Sequence, residues 1–278
     1  MDTTVICRLA HGEIDESLPG IVNVFRDDHA VPWHRHDTCL AWVANHVECG
    51  FYIALAYCGG KIVGYSEWIE THDRGRNILY LSLMQVDCDM RGRGIGGAML
   101  RDGEAYAKSI GAVSLRTLPE DERSYAFYRK HGFFETDAIE SCICPTPSGA
   151  EAAPRRQIAA MSRQAADTHE IVFGLCQSSS RHLYEMANHP PQTGNYQVVS
   201  SYIASGYLQF RYREGSKDAL ALYWSKEAAT AGTVAEILQA GRLEGFDEVE
   251  FYFRTQHKDL FAGQKTSLES VEIEKKIY

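Results

Sequence analysis

The chain has 278 residues, 45% of them apolar and 23% charged, with a net charge of −9. That length has room for two domains of ordinary size. No run approaches eighteen apolar residues, which excludes a membrane-spanning helix, and the negative field disfavours nucleic acid as a partner. The start, Met1-Asp2-Thr3-Thr4-Val5, lacks the basic and apolar regions of a signal peptide. Eight cysteines without a C-x-x-C pair then read as reduced thiols of a cytoplasmic protein. Cys142 and Cys144 share one face of a strand, too close for a relaxed disulfide, and read as packing.

From the N-terminus, Val5 to Leu9 reads as a strand. A helix follows from Asp15 to Phe25, interrupted at Pro19-Gly20. Thr38 is placed to N-cap a helix over Cys39 to Val47. His29, His34 and His36 lie near Asp27, Asp28 and Asp37, but no metal-ligand spacing such as H-E-x-x-H is present, so no metal is expected. Residues 51–57 and 62–69 form a hairpin turned by Gly59-Gly60, which supply the positive φ of a two-residue turn. A third strand runs from Asn77 to Val86.

That strand feeds Asp87-Cys88-Asp89-Met90-Arg91-Gly92-Arg93-Gly94-Ile95-Gly96-Gly97. Apolar or small residues then recur at helical spacing from Ile95 to Ile110. Four glycines within residues 92–97 leave the backbone free to curl and leave no Cβ to block an anion. The amides of the turn and of the first helical turn converge on one spot, and the helix dipole makes it positive. Arg91 and Arg93 add charge. This is the outline of a pyrophosphate cradle. Gly92-x-Gly94-x-x-Gly97 also matches the dinucleotide pattern G-x-G-x-x-G, so an NAD-binding oxidoreductase is an alternative. Five residues between strand and first glycine, and some eighty residues before the unit, count against it.

The same stretch contains Arg91-x-x-Gly94-x-Gly96. With Val86 before it, it resembles the acyl-CoA signature of the GCN5-related N-acetyltransferase (GNAT) family. About thirty residues on, Asp121 to Phe133 resembles the family's second motif: a helix ending in tyrosine, here Tyr128, then a short link to Gly132-Phe133. The resemblance covers roughly residues 5–144 and implies a mixed, mostly antiparallel twisted sheet flanked by helices. It further implies acetyl-CoA as cosubstrate, held by Val86 and Cys88 backbone groups along the carrier arm and by Arg91, Gly92, Arg93, Gly94, Ile95, Gly96 and Gly97 at the pyrophosphate. A backbone N–H at the strand end would bond the thioester oxygen. Tyr128 would protonate the leaving thiolate. Glu67 is the candidate general base, and Trp33, His34 and His36 fall where the family's acceptor pocket is lined. Two positions depart from the pattern. Gln85 stands where relatives often carry Glu or His, and cannot take a proton. Asp121 stands where relatives carry an Asn that bonds the carrier arm, and cannot donate.

After Pro119 ends a strand over residues 113–118, a helix runs from Asp121 to His131, and closing strands from Ala138 to Cys144. Residues 145–168 open with a Pro- and Ala-rich linker. From 169 to 278 the expected order is strand (170–176), helix (179–188), strand (197–203), hairpin (207–213 with 219–225), helix (233–243), strand (248–254) and last strand (270–277). That order loosely repeats the first region, 1–144. Where the cradle stood, Lys226 to Gly232 has a single glycine. The second region therefore reads as a smaller α+β domain: either a degenerate copy that shapes the acceptor pocket or holds a homodimer, or an unrelated α+β fold.

Residues 1–144 carry 14 Lys and Arg against 21 Asp and Glu, whereas residues 145–278 carry 14 against 16. The cradle-bearing region is thus the acidic one and would attract a cationic substrate. The expectation is an N-acetyltransferase acting on a primary amine of a small cationic molecule by direct attack in a ternary complex. A CoA-binding module without catalysis is the other alternative.

Overall fold

The structure is a computed structural model and describes residues 4–27, 35–73, 75–148, 169–174 and 196–278. Its strands are β1 (Val5–Arg8), β2 (Tyr52–Cys58), β3 (Lys61–Asp73), β4 (Arg76–Val86), β5 (Ser114–Thr117), β6 (Phe134–Pro145), β7 (Glu170–Phe173), β8 (Tyr196–Ile203), β9 (Gly206–Arg213), β10 (Asp218–Ser225), β11 (Glu248–Arg254) and β12 (Ser267–Lys276). Its helices are α1 (Ile14–Val24), α2 (His36–Glu48), α3 (Ile95–Ser109), α4 (Glu122–Lys130) and α5 (Ala231–Leu243).

The twelve strands among the described residues join one sheet in the order β1-β2-β3-β4-β5-β12-β6-β11-β10-β9-β8, with β7 paired to β10. Neighbours are antiparallel except β4/β5 and β10/β11. The linker separates the two regions in sequence but not in the sheet. β12, the last strand of the chain, lies between β5 and β6, with Glu274 opposite Arg116 and Val271 opposite Ala138. β6 in turn pairs with β11, Cys144 opposite Val249. Each region therefore receives a strand from the other.

A buried charge cluster fastens this exchange. Arg116 on β5 meets Asp73 at 2.5 Å and Glu272 of β12 at 3.3 Å. Arg254 of β11 meets Asp73 at 2.7 Å and Glu272 at 3.0 Å, and Arg76 of β4 meets Glu274 at 3.3 Å. Burial opposes ionisation of Asp73, but the fields of Arg254 and Arg116 prevail and lower its pKa to about 2.

Alternation along β3 sends Tyr65, Glu67 and Ile69 to the face covered by α1 and α2, and Trp68 to the face covered by α3 and α4. Two helix expectations change. α1 runs through Pro19 without a break, because Leu18, Ile21, Val24 and Phe25 all bury beneath it and outweigh one missing hydrogen bond. α2 starts earlier than expected, at His36 after Arg35, so Thr38 is not a cap but a buried residue of its first turn. Residues 255–261 form a 3₁₀ turn rather than a plain link. Cys142 and Cys144 are buried neighbours, their sulfurs 3.7 Å apart. His29, Trp33, His34, Cys176 and the expected helix over 179–188 lie outside the described residues.

Candidate active site

The glycine stretch joins β4 to α3. Asp87, 6% exposed, N-caps a short 3₁₀ turn over Cys88–Met90 by accepting from the Asp89 N–H. Arg26, just beyond α1, grips that turn. Its guanidinium donates to both Asp87 oxygens (2.7 and 3.1 Å), to Asp89 (2.7 Å) and to Cys88 Sγ (2.8 Å). Hydrogen bonding to Arg26 holds the Asp87 carboxyl below its ordinary range. Asp87, Cys88 and Asp89 have the ligand types of a metal site, but the guanidinium already stands among them as the cation. The Cys88 thiol is held up by its bond to Asp27, which disfavours a thiolate.

Arg91 Nε then donates to the Val86 carbonyl at 3.1 Å. Gly94, at φ +83°, is the N-cap of α3, and no side chain caps that end. The first amides of α3 have no helical acceptor and point outward from an uncapped terminus. Gly97 answers a different need. A Cβ built there would stand 2.9 Å from the His131 ring, so this glycine lets the helix start approach α4. Gly96 sits likewise against Phe127, at 3.1 Å. Of the four glycines, Gly92 and Gly94 bend the turn at positive φ, and Gly96 and Gly97 also leave room for the Phe127 and His131 rings.

Beyond the turn the sheet opens. β4 and β5 pair in parallel register at Ile78↔Ser114, Leu79↔Leu115 and Tyr80↔Arg116, and no further. β4 runs on to Val86 paired to β3 alone. At the root of this fork Thr117 Oγ1 donates to the Leu81 carbonyl at 3.0 Å. Tyr128 comes beside Thr117 from α4, its ring packed edge-on against Phe127 and Phe133. Burial raises its pKa, so the phenol keeps its proton at neutral pH.

Glu67 lies on β3, facing α2, and is only 1% exposed. Its Oε2 is 2.7 Å from His46 Nδ1 and accepts from the Tyr65 hydroxyl at 2.9 Å. A proton reaching it from an amine passes through such partners or through water. Gln85 stands opposite Tyr65 across the strand pair. Asp121 is turned to a structural task. It N-caps α4, accepting from the Ser124 N–H at 2.6 Å, and that bond lowers its pKa. Arg26, His46 and Thr117 were missed in the sequence. For His46 there was a signal: with Cys39 and Val43 it follows the buried stripe of α2.

The second region has the same fork, and the fork is filled. β10 and β11 pair in parallel from Asp218↔Glu248 to Ala221↔Phe251. Past that point β7 lies on β10, with Phe173 opposite Tyr223, and Gly174 N donates to the Tyr252 carbonyl of β11 at 2.9 Å. Phe173 is fully buried among Tyr223, Phe251, His257 and Phe261. The helix after this fork, α5, is N-capped by Thr230, whose hydroxyl accepts from the Thr233 N–H.

The dinucleotide reading fails on this topology. The strand before the glycines is antiparallel to β3 and is reached through a hairpin meander, whereas that fold needs a parallel sheet with helical crossovers.

Residues 18–133 match the Acetyltransferase (GNAT) family. An uncharacterized N-acetyltransferase of Methanocaldococcus jannaschii is 31% identical over 108 residues, 37% of this chain and 46% of that one. The chain thus spans about half the length of this curated relative. Two solved structures resemble nearly the whole chain at 12% identity, which speaks for the fold. A GCN5-related N-acetyltransferase from Kribbella flavida has a TM-score of 0.62 over 98% of this chain and 71% of its own. One from Anabaena variabilis also has 0.62, over 99% and 73%. The stretch from residue 18 to residue 133 is thus a GNAT acetyltransferase-family region.

Proposed function

We propose that the protein is an acyltransferase that moves an acetyl group from acetyl-CoA to a primary amine of a small, cationic acceptor by direct attack in a ternary complex. The observation that carries this reading is the open β4/β5 fork, with an uncapped, glycine-turned helix start at one end and the Tyr128 hydroxyl at its root. The residues fit the carrier. The cradle of Gly92 to Gly97 suits a pyrophosphate, and the unpaired edge of β4 suits the amides of a pantetheine arm.

In this reading the amine nitrogen bonds to the thioester carbonyl carbon, and the C–S bond breaks to release the thiolate. Tyr128 supplies the proton that the thiolate takes up. Burial raises the phenol above its ordinary pKa of about 10, so it holds its proton until the thiolate forms beside it. The proton lost by the amine leaves through water or through the Glu67–His46–Tyr65 group. The excess of acidic residues in 1–144 favours a cationic acceptor.

Two measurements test this. Calorimetric titration with acetyl-CoA should give binding that free CoA competes away. A thiol-release assay over a panel of polyamines, aminoglycoside-like amines, amino acids and peptides should show turnover concentrated among the cations. Absence of acetyl-CoA binding ends the acetyltransferase reading, and binding without turnover of any amine leaves a carrier-binding module.

A further inference from the structure

Beside the cradle, on the side where α3 meets α4, the chain holds cations that nothing neutralises. A Cβ built on Gly97 would be 3.3 Å from His131 Nε2 and 3.6 Å from Arg101 Nη1. Two nitrogen-bearing groups from different helices therefore converge on one point at the outer rim of the helix start. Lys130 adjoins His131 at the end of α4 and contributes to its field. The carboxylate in reach is Glu104, and it is already engaged by Lys275 of β12 at 2.5 Å. Among the described residues, neither Arg101 nor Lys130 has an acidic partner within 4 Å. In a chain of net charge −9, an unpaired guanidinium and an imidazole at one point, with the Lys130 ammonium bearing on that imidazole, are a local reversal of sign.

We infer that Arg101, Lys130 and His131 form a site for a phosphate monoester, the 3′-phosphate at the nucleotide end of the acyl carrier. The inference rests on the acyl-CoA reading above and adds to it a named subsite and a selectivity. A pyrophosphate at the start of α3 leaves the nucleotide end to lie outward, over the junction of α3 and α4. A dianionic phosphate there meets a guanidinium, an ammonium and an imidazole. Burial, together with Lys275, Lys130 and Arg101, keeps His131 below its ordinary pKa of 6.5, against the opposing field of Glu104. The free site is thus short of one proton that an arriving dianion would call in. Binding at pH 7 then takes up a fraction of a proton at His131.

The experiment compares CoA with 3′-dephospho-CoA by calorimetry on the full chain. The two ligands differ only in the monoester. CoA is expected to bind about tenfold to a hundredfold more tightly, as hydrogen bonds to charged groups do. Arg101→Ala removes an exposed side chain and should abolish most of that ratio while leaving dephospho-CoA binding unchanged. Repeating the titration in buffers of different ionisation enthalpy should reveal proton uptake with CoA that is absent with dephospho-CoA and absent in His131→Gln. Equal affinity of the wild-type protein for both ligands overturns the phosphate site alone. Equal weakening of both ligands by Arg101→Ala also overturns it, since Arg101 then serves the cradle or the fold. Binding of neither ligand overturns the acyl-carrier reading and this site together.

Discussion

The molecule contains the same fork twice and leaves only one of them open. In both, a parallel strand pair holds for a few residues and then diverges, and a helix follows the first strand. At β4/β5 nothing from the described chain enters the gap, and the next helix begins at Gly94 without a side-chain cap. At β10/β11 the gap holds β7, sealed by Phe173, and the next helix begins under the Thr230 hydroxyl. The lesson concerns hydrogen bonds. Diverging strands leave backbone donors and acceptors that must be met. A protein can meet them with its own chain and gain stability, or leave them for a ligand and gain a site. The second fork makes the first choice; on the proposed function, the β4/β5 fork makes the second.

The largest effect should come from filling the open site. Gly94 sits at φ +83°, and a Cβ there meets nothing within 4 Å. Gly94→Val therefore keeps room for the fold, at a backbone cost of roughly 1–2 kcal/mol, but places an isopropyl group where the anion must approach. Affinity for CoA should fall on the order of a thousandfold, enough to lose several charge-assisted bonds. Calorimetry reads the affinity, and a melting temperature lowered by only a few degrees shows that the fold survives. If the valine protein binds CoA normally, the carrier does not lie on this turn.

Tyr128→Phe acts at the root of the same fork. It retains the ring packing against Phe127 and Phe133 and removes only the hydroxyl beside Thr117. Carrier affinity should hold, and kcat and kcat/KM should fall together by roughly tenfold to ten-thousandfold, the range around typical acid catalysis. Turnover at the wild-type rate from pH 6 to 9 would instead assign the thiolate's proton to a water chain and leave Tyr128 as packing.

How much of this contrast stood in the sequence depends on the range of the interactions involved. The turn at the mouth of the open fork was legible because its signals are local: Gly92 and Gly94 bend it, Val86 ends the strand before it, and Tyr128 follows in a second motif. The single glycine between Lys226 and Gly232 likewise showed that no cradle forms there. Three features were not legible. Arg26 grips Asp87 across 61 residues, and Arg116 meets Glu272 and Glu274 across the whole second region. Neither pairing leaves a pattern within a short window. The exchange of β6 and β12 is hidden for the same reason: each strand has an ordinary alternation, and nothing in it says which sheet it will enter. Asp121 shows a different limit. Its letter fits both a ligand contact and an N-cap, and Ser124 three residues on decides for the cap.

Breaking the closed fork should cost stability and gain no ligand. Phe173→Ala empties a fully buried site ringed by four aromatic side chains, at a cost of about 3–5 kcal/mol in denaturant unfolding. Because β7 still occupies the gap, native mass spectrometry should find one CoA per chain in both proteins. Two per chain would mean that the plug yields and that the forks are alike. A slightly smaller effect belongs to the junction between the halves. The Asp73 pKa is lowered from 3.8 to about 2, so its ionised form contributes stability in full above pH 3.8, which is lost as pH falls through 2. The contribution is about 2 kcal/mol at 1.36 kcal/mol per unit. Denaturant midpoints measured from pH 5 to pH 2 should show this slope in the wild-type protein and lack it in Asp73→Asn.

The smallest effect tests whether a cap alone separates the two helix starts. Thr230→Ala frees the first amides of α5 from their hydroxyl acceptor, and the protein should lose about 1 kcal/mol. The uncapped end would then resemble the start of α3 in its orphan N–H groups and in its dipole. It would still differ in two respects: Thr230 lies in extended rather than left-handed backbone, and β7 still fills the fork before it. If these decide the matter, the alanine protein binds CoA with unchanged stoichiometry and affinity. A second equivalent of CoA appearing with Thr230→Ala would show that the threonine hydroxyl, rather than the strand in the gap, is what keeps the second fork from being a site.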